Sequence, residues 1–306
     1  MLALVNPRCD YGKGLRTWRQ VEPALRGRHH DLTVEEIPAL GALPQRLGLA
    51  VASGERRFIA AGGDGTVNLV ANALMGGGHD GVALGAVALG SSNDFHKPFR
   101  SSSRLEGVPA KLQWDRAAPR DVIMVSYRET DGQVARRICL INAGVGITAH
   151  ANAIYNGHFP VISRVQRVSV EAAILASIVH ALGTFRSIPC TLSIDDESPV
   201  RLPLTNLAVL KSPHVAGALC YDTPVEPADG TMRVNLCVGM TKREILRTLV
   251  NLYRHRFIGS PKTSTHAGTR LRLRTAQPFA LEMDGEVVHT MDARFELVPG
   301  ALRCCP

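Results

Sequence analysis

The strongest constraint in this 306-residue sequence is a glycine-rich turn placed between an apolar strand and an apolar helix. The pattern predicts a strand over residues 57–61 and a helix over residues 67–75, with residues 62–66 forming the turn. Glycines let the backbone approach a ligand closely, and the amides that begin a helix attract anions. The carboxylate of Asp64 would repel a phosphate unless a cation lay between them. The turn therefore predicts Mg²⁺-linked phosphate binding, the alternative being an ordinary strand-to-helix turn capped by the aspartate.

Two further polar turns follow predicted strands in the first third of the chain. Residues 90–95 follow a strand at residues 82–89 and offer hydroxyls and amides to phosphate oxygens, although alone they could be an ordinary N-cap. Residues 6–14 follow the first strand, at residues 2–5, and contribute two cations. Because ligands bind at the carboxyl ends of strands in an open parallel sheet, we expect the three turns to face one ligand.

The chain divides into two predicted domains of different type. Residues 1–119 alternate strands with helices, which is typical of an α/β domain. From residue 120 to residue 298, short β-rich runs predict a mainly antiparallel, sandwich-like domain with inserted helices near residues 165–182 and 242–257. The polar, proline-containing segment 101–120 is interpreted as the link between the two domains.

Two Asp-Gly pairs in the second half of the chain carry candidate functional acids. Asp284 and Glu286 flank a glycine, so one carboxylate could contact a metal or nucleotide while the other accepts a proton from a hydroxyl. The alternative is a β-hairpin, because Asp-Gly is favoured in type I′ turns, and the spacing alone favours that alternative. Asp229, which precedes Gly230, is open to the same two interpretations.

Composition and charge restrict the setting and the partners. Lys and Arg number 35 against 27 Asp and Glu, so the formal charge of +8 favours nucleic acid, phosphate-bearing metabolites or an anionic membrane. Seven scattered cysteines without a C-x-x-C pattern predict neither a disulfide framework nor a zinc site, and they suit a reducing cytosol. The basic, amphipathic segment 241–257 is interpreted either as a core-packing helix or as one that lies on anionic lipid.

Taken in order, these segments resemble the catalytic family of diacylglycerol kinases, which includes bacterial lipid kinases and sphingosine kinases. The resemblance spans nearly the whole chain. The matching segments are Asn6-Pro7 with the glycine-rich turn after it, and residues 62–66, 90–95, 144–149, 227–230 and 284–286.

The resemblance implies an α/β N-terminal domain similar to those of NAD kinases and phosphofructokinases, and a C-terminal β-sandwich-like domain. Residues 299–306 would return to the first domain. It also implies Mg²⁺-dependent transfer of the ATP γ-phosphoryl group to a lipid hydroxyl, with diacylglycerol or a related lipid as acceptor. We therefore expect a cytoplasmic protein that contacts an anionic membrane peripherally, has no nucleic-acid partner, and is compatible with a homodimer.

The resemblance also assigns roles to individual residues. Asp64 and Glu286 would be catalytic, with either acid a candidate base, and Asp229 and Asp284 would serve the metal. The residues expected to face the nucleotide come from the three early turns and are Asn6, Arg8, Gly12, Lys13, Gly62, Gly63, Gly65, Thr66, Gly90, Ser91, Ser92 and Asn93.

Several positions depart from the family pattern. Cys9 and Asp10 displace the usual serine after Asn-Pro, and Leu69 replaces a common glutamate. Ala228 and Thr148 stand where acids are frequent. Two alternatives stay open: a kinase of a soluble substrate, which would lack an apolar surface in the second domain, and a relative that binds ATP or lipid without transferring phosphate.

Overall fold

The structure is a computed structural model, and its contacts divide the chain into two units. It describes residues 1–37, 39–78, 81–97, 103–129, 131–157, 162, 164–165 and 169–306. Unit 1 comprises Met1–Val122, Pro227–Asp229 and Pro299–Pro306, and unit 2 comprises Ile123–Glu226 and Gly230–Val298.

Unit 1 is built on a parallel sheet with helices between its strands. The strand order is β2-β1-β3-β4, and each neighbouring pair is parallel. The elements in chain order are β1 (Leu2–Val5), α1 (Lys13–Arg28), β2 (Thr33–Glu36), α2 (Leu43–Ala52), β3 (Arg57–Gly62), α3 (Asp64–Gly76) and β4 (Ala83–Ala88). Trp18, Val21 and Leu25 recur at helical spacing on α1 and pack against the buried strands.

Two further segments extend the sheet of unit 1 beyond β4. Strands β5 (Arg104–Leu105) and β6 (Val108–Lys111) form a hairpin, and β6 pairs antiparallel with β4. The prediction of a link between domains over residues 101–120 is therefore wrong for residues 104–111, which form this hairpin. Leu105 and Ala110 are buried in the core despite their polar neighbours. At the end of the chain, Arg303 and Cys304 pair parallel with β4.

Unit 2 is mainly antiparallel, as predicted. Its strands are β7 (Ala118–Arg128), which begins in unit 1, β8 (Val134–Cys139), β9 (Asn142–Gly146), β10 (Ile188–Ile194), β11 (Val200–Leu210), β12 (His214–Val215), β13 (Leu219–Cys220), β14 (Met232–Val238), β15 (Thr263–Gly268), β16 (Arg270–Met283) and β17 (Glu286–Cys304), which ends in unit 1. The helices are α4 (Ile147–Asn156), α5 (Val170–Thr184) and α6 (Lys242–Tyr253).

The long strands β11 and β16 organise unit 2. One half of each pairs with β10, and the other half pairs with β9. Strands β14 and β15 extend the sheet from β11, and β17 pairs with β16. Alternate residues of β10, such as Leu192 and Ile194, are buried in the core, as the two-residue period of a strand requires.

Two sequence expectations for unit 2 change at a boundary, and one helix is additional. The strand predicted over residues 137–142 stops at Cys139, and a new strand begins at Asn142. Helix α4 was not predicted. Helix α6 ends at Tyr253 rather than residue 257, because the carboxylate of Asp222 accepts the amides of Phe257 and Ile258 and fixes a turn there. Residues 166–168 of the helix predicted near 165–182 lie outside the described residues.

Among the described residues, each helix is too short or too polar to span a bilayer. All seven cysteines are free thiols and are buried.

His96 is a buried histidine in unit 1. Only 6% of its surface is exposed, and neither ring nitrogen finds a hydrogen-bond partner among the described residues. Burial, with a smaller effect from the charge of Lys111, lowers the pKa of His96 from 6.5 to about 3. The side chain is therefore neutral in the folded protein at neutral pH.

We expect this histidine to make unit 1 less stable in mild acid. Between pH 6.5 and 3 the unfolded state binds a proton that the folded state does not, so the free energy of unfolding falls as the pH falls. At pH 5 the loss relative to pH 7.5 is about 2 kcal/mol.

Urea unfolding at several pH values, followed by tryptophan fluorescence, measures this dependence, because Trp18 and Trp114 both belong to unit 1. His96→Leu should flatten it, whereas the same change at the exposed His30 should not. An unchanged pH dependence in His96→Leu would show that the effect originates elsewhere.

Candidate functional site

Three loops of unit 1 lie at the same edge of its parallel sheet. They follow β1, β3 and β4, which are neighbouring parallel strands, so their carboxyl ends meet there. We call residues 6–12, 62–66 and 89–96 the strand-end loops. All the residues that sequence analysis expected to face a nucleotide lie in these loops, except Lys13, which is the next residue in the chain.

Asn6 joins the first strand-end loop to the second. Its side-chain amide donates to the hydroxyl of Thr66, 3.0 Å away, and its side-chain oxygen accepts the amide of Arg8 at 3.1 Å. Both ends of the Asn6 side chain are thus engaged by the protein. The structure gives Asn6 an organising role, and its predicted contact with a nucleotide stays a prediction.

Asp64 joins the second loop to the third. One carboxylate oxygen accepts the amide of Asp94 at 2.9 Å, and the other accepts the amide of Phe95 at 2.9 Å. Asp64 is also the first residue of α3, whose N-cap, Gly63, has no side chain to cap the helix. The first turn of α3 therefore has no side-chain cap from Gly63, and it contains the carboxylate of Asp64.

Close backbone packing fixes the position of the third loop. A Cβ atom added to Gly90 would lie 2.5 Å from the Cα of Gly63, so only glycine allows the two loops to approach this closely. Asn93 has a φ of 49° and exchanges two hydrogen bonds with the backbone of Gly90. Asn93 therefore closes its own loop, and Ser91 and Ser92 provide the hydroxyls between the two ends.

Basic side chains lie near the strand-end loops. Arg8 and Lys13 are exposed, and within the described residues neither forms an ion pair with an acid. Lys97, which sequence analysis missed, forms an ion pair with the buried carboxylate of Asp94. A basic residue three positions after an acid is the signal that could have indicated this pair.

Cys9 lies against the second loop in place of the family's usual serine. A Cβ atom added to Gly63 would lie 3.7 Å from the sulfur of Cys9. Burial is the main reason why the pKa of Cys9 rises to about 11. This position is therefore a neutral thiol at physiological pH.

In unit 2, Asp284 and Gly285 form the turn between β16 and β17. Both have positive φ angles, and Met283 pairs with Glu286 across the turn, so the hairpin alternative is confirmed. The buried carboxylate of Asp284 accepts the amides of three consecutive residues, Leu140, Ile141 and Asn142, at 2.7 to 3.0 Å. These bonds explain why the strand predicted over residues 137–142 is interrupted.

We call residues 282–286 the acid turn. The carbonyl of Gly285 accepts the side-chain amides of Asn156 at 2.9 Å and Asn152 at 3.4 Å, both on α4. Glu282, an acid that sequence analysis did not single out, is buried and accepts the amide of Gly285. Glu286 is exposed, and its carboxylate has no hydrogen bond from any described residue. The bonds to Gly285 thus fix the backbone of the turn next to the exposed Glu286.

A metal site preformed by side chains is absent from the described residues, since none of their His, Cys, Asp and Glu groups could hold an ion with three ligands. Asp284, expected to serve the metal, is already bound by three amides. Asp229 is exposed in the 227–229 segment of unit 1. Mg²⁺ commonly keeps several waters and binds one or two carboxylates together with phosphates, so it does not require a preformed cluster of three protein ligands.

The sequence of this chain matches the models of two protein domain families. Residues 1–125 match the diacylglycerol kinase catalytic domain, and residues 143–305 match the YegS C-terminal NAD kinase beta sandwich-like domain. The chain belongs to the diacylglycerol kinase catalytic family. The resemblance expected from the sequence and the fold class are both confirmed.

Two proteins with curated names are distant relatives of this chain. A Bacillus subtilis protein named "Putative lipid kinase YtlR" is 21% identical over 98% of this chain and 97% of its own length. An Escherichia coli protein named "Probable lipid kinase YegS" is 25% identical over 90% of this chain and 85% of its own length. The chain is thus a member of a kinase family.

Solved structures share the fold of this family member. A Bacillus anthracis protein titled "putative diacylglycerol kinase" has a TM-score of 0.74 at 18% identity, covering 99% of this chain and 94% of its own. A yeast NADH kinase has a TM-score of 0.53 at 10% identity, covering 99% of this chain and 81% of its own. At these identities the likeness concerns the fold.

One departure from the family pattern has a structural explanation in this chain. Thr148 stands where an acid is frequent, and both its amide and its hydroxyl donate to the side-chain oxygen of the buried Asn206. Thr148 therefore holds the start of α4 against β11. The nearby Gly146 has a φ of 109°, and a Cβ atom there would lie 2.3 Å from the carbonyl oxygen of Thr205.

We expect Asp284 to stabilise unit 2 without any metal. Asp284→Asn should lower the free energy of unfolding by about 2 kcal/mol, because an amide group would face one of the three backbone donors. Circular dichroism in urea with a chelator present measures the loss, and hydrogen exchange should show faster exchange at residues 140–142.

Glu286→Gln is the matched control for that measurement, because Glu286 lies in the same turn but is exposed. Its stability should stay within about 0.5 kcal/mol of the unsubstituted protein. If Asp284→Asn were destabilising only when Mg²⁺ was present, Asp284 would be a metal ligand rather than a structural acid.

Proposed function

We propose that this protein is an ATP-dependent lipid kinase that transfers the γ-phosphoryl group of ATP to a lipid hydroxyl, with diacylglycerol as the first acceptor to test. The observation that carries the proposal is the linked set of strand-end loops in a chain of the diacylglycerol kinase family. The free, buried cysteines support a reducing, cytoplasmic setting.

The strand-end loops support the nucleotide half of the proposal. Phosphoryl transfer depends on positioning and on neutralising charge, and rigid backbone donors provide both without reorganising during the reaction. Asn6 and Asp64 hold the three loops together through the bonds described above. The amides that begin α3, the hydroxyls of Ser91 and Ser92 and the cations Arg8 and Lys13 would bind the phosphates.

The two candidate bases differ in how available they are. Each oxygen of Asp64 already accepts a backbone amide, which holds the carboxylate in a fixed position. Glu286 is exposed on a supported turn and has no such bond within the described residues. We therefore assign proton acceptance to Glu286 and loop organisation to Asp64.

The proposed reaction is a single displacement at the γ-phosphorus of ATP. The lipid hydroxyl loses its proton to Glu286 while its oxygen forms a bond to the γ-phosphorus, and the bond between that phosphorus and the bridging oxygen breaks to release ADP. Bound with the nucleotide, Mg²⁺ would neutralise charge on the phosphates. Asp229, which is exposed, is the acid that the family resemblance assigns to such an ion.

The acceptor is proposed from the names of the relatives. Two curated relatives are named "Putative lipid kinase YtlR" and "Probable lipid kinase YegS", and two Bacillus anthracis structures are titled "putative diacylglycerol kinase". An assay with labelled ATP, Mg²⁺ and detergent-dispersed diacylglycerol, sphingosine, ceramide, phosphatidylglycerol or undecaprenol tests the acceptor directly. We expect the label to appear in the diacylglycerol product. Transfer to none of these lipids would reject the proposal.

Glu286→Gln should lower kcat by about 10²- to 10⁴-fold, because the base is lost, with little change in the KM for ATP. The matched control is Glu296→Gln, which changes an exposed acid on the same strand. Retention of full turnover by Glu286→Gln would remove Glu286 from the mechanism.

Asp64→Asn should lower turnover by a similar factor for a different reason. An amide in place of the carboxylate would put an N–H group against the amide of Asp94 or Phe95, so the third loop would loosen. Hydrogen exchange should therefore accelerate at Asp94 and Phe95 together with the loss of activity. Full activity with a loosened loop would contradict the organising role.

A further inference from the structure

We propose that the exposed face of α6 is a docking surface for an anionic membrane. This docking face consists of two kinds of side chain, apolar and basic, at helical spacing. Its residues are Arg243, Leu246, Arg247, Val250, Tyr253 and Arg254.

The apolar part of the docking face is a continuous stripe. Leu246, Val250 and Tyr253 are spaced by four and three residues, which places them on one side of the helix, and they are 53%, 41% and 67% exposed. Ile258, on the turn fixed by Asp222, is 53% exposed. Four of the ten large apolar side chains that are exposed among the described residues therefore lie within this short segment.

The other side of α6 packs against the core of unit 2. Ile245, Thr248 and Leu252 are buried, and Ile245 and Leu252 join the core cluster that contains Phe257. The stripe is therefore additional to the residues that the core requires. The core-packing interpretation drawn from the sequence is confirmed for this buried side, and the lipid interpretation concerns the exposed side.

The basic part of the docking face lacks an acidic partner within the described part of unit 2. Among the described residues, no acid pairs with Arg243, Arg247 or Arg254. The only acid of α6 is Glu244, which is held by the hydroxyl and amide of Thr241 and by Lys262. Three arginines that border an apolar stripe match a surface with negative head groups above hydrocarbon.

The same charges disfavour a second copy of this chain as the occupant. Two identical faces brought together would oppose arginine with arginine, in a chain whose formal charge is already +8. Tyr253, with an apolar ring and a polar hydroxyl, suits the boundary between head groups and acyl chains. The choice of a membrane also rests on the proposed function, in which the acceptor is a lipid.

Co-sedimentation with vesicles tests the docking face without any need for kinase activity. The probe is a phosphatidylcholine vesicle with or without 25% phosphatidylglycerol, at low and high salt. We expect binding to the anionic vesicles that weakens as salt rises.

Two triple variants separate the parts of the face. Arg243→Gln with Arg247→Gln and Arg254→Gln should lower the partition coefficient on the order of 100-fold, from about 1 kcal/mol for each basic residue. Leu246→Gln with Val250→Gln and Tyr253→Gln should lower it at least about 10-fold, because apolar burial is lost. Since all six side chains are exposed, we expect both variants to fold, which circular dichroism checks.

The matched control removes the same charge from another helix. Arg16, Arg19 and Arg28 are exposed on α1, and their triple change to Gln should leave vesicle binding within about two-fold. An equal loss in this control would show that only net charge matters and would overturn the proposal. Unchanged binding in both α6 variants would also overturn it.

Two further measurements distinguish the remaining outcomes. If the apolar triple variant changed the sedimentation coefficient of the protein but not its vesicle binding, the face would be a protein interface and the proposal would fail. Activity on detergent-dispersed lipid should be retained in both α6 variants, while activity on vesicle lipid falls. Absence of activity on every lipid would reject the proposed function, and the vesicle binding would still decide the docking face.

Discussion

The geometry of unit 1 depends on one carboxylate that bonds to backbone. Asp64 begins α3 and accepts the amides of Asp94 and Phe95, so the turn after β3 and the turn after β4 cannot move independently. A single negative group that accepts two amides is worth more than the same bonds between neutral groups. The glycines around it are required for a related reason, because Gly63 and Gly90 come too close for side chains. The loops are thus arranged before any ligand binds.

Unit 2 uses the same device at a distant point of the sequence. Asp284 accepts three consecutive amides from residues 140–142 and so fixes both the end of β8 and the start of the acid turn. In each unit an aspartate that sequence analysis assigned to catalysis or to a metal accepts backbone amides instead of standing unbound. An inventory of acids in the motifs therefore overestimates the number of metal ligands. This supports a metal ion that is carried largely by nucleotide phosphates and water.

Much of the fold could be predicted, because strand and helix periods are local properties of the chain. The parallel strands of unit 1 and the antiparallel strands of unit 2 follow from such patterns. The hairpin at residues 104–111 could not be predicted, since its pairing with β4 and the burial of Leu105 override a polar composition. The partners of Asp64 and Asp284 were inaccessible for another reason. They are main-chain amides 30 to 144 residues away, and the amino-acid sequence does not show which backbone amides a carboxylate contacts.

Some acids stabilise the backbone and others are proposed to react, and this difference explains why the departures from the family pattern can be tolerated. At position 148, where an acid is frequent, the amide and hydroxyl of Thr148 donate to the side-chain oxygen of Asn206, so a different residue type serves the fold there. A position that must take a proton has no such freedom. Because an organising group has many substitutes and a reacting group has few, losses among the secondary acids do not imply loss of activity. Under the proposed function, the position that must take a proton is Glu286, which is exposed on a turn that Asn156 holds through the carbonyl of Gly285.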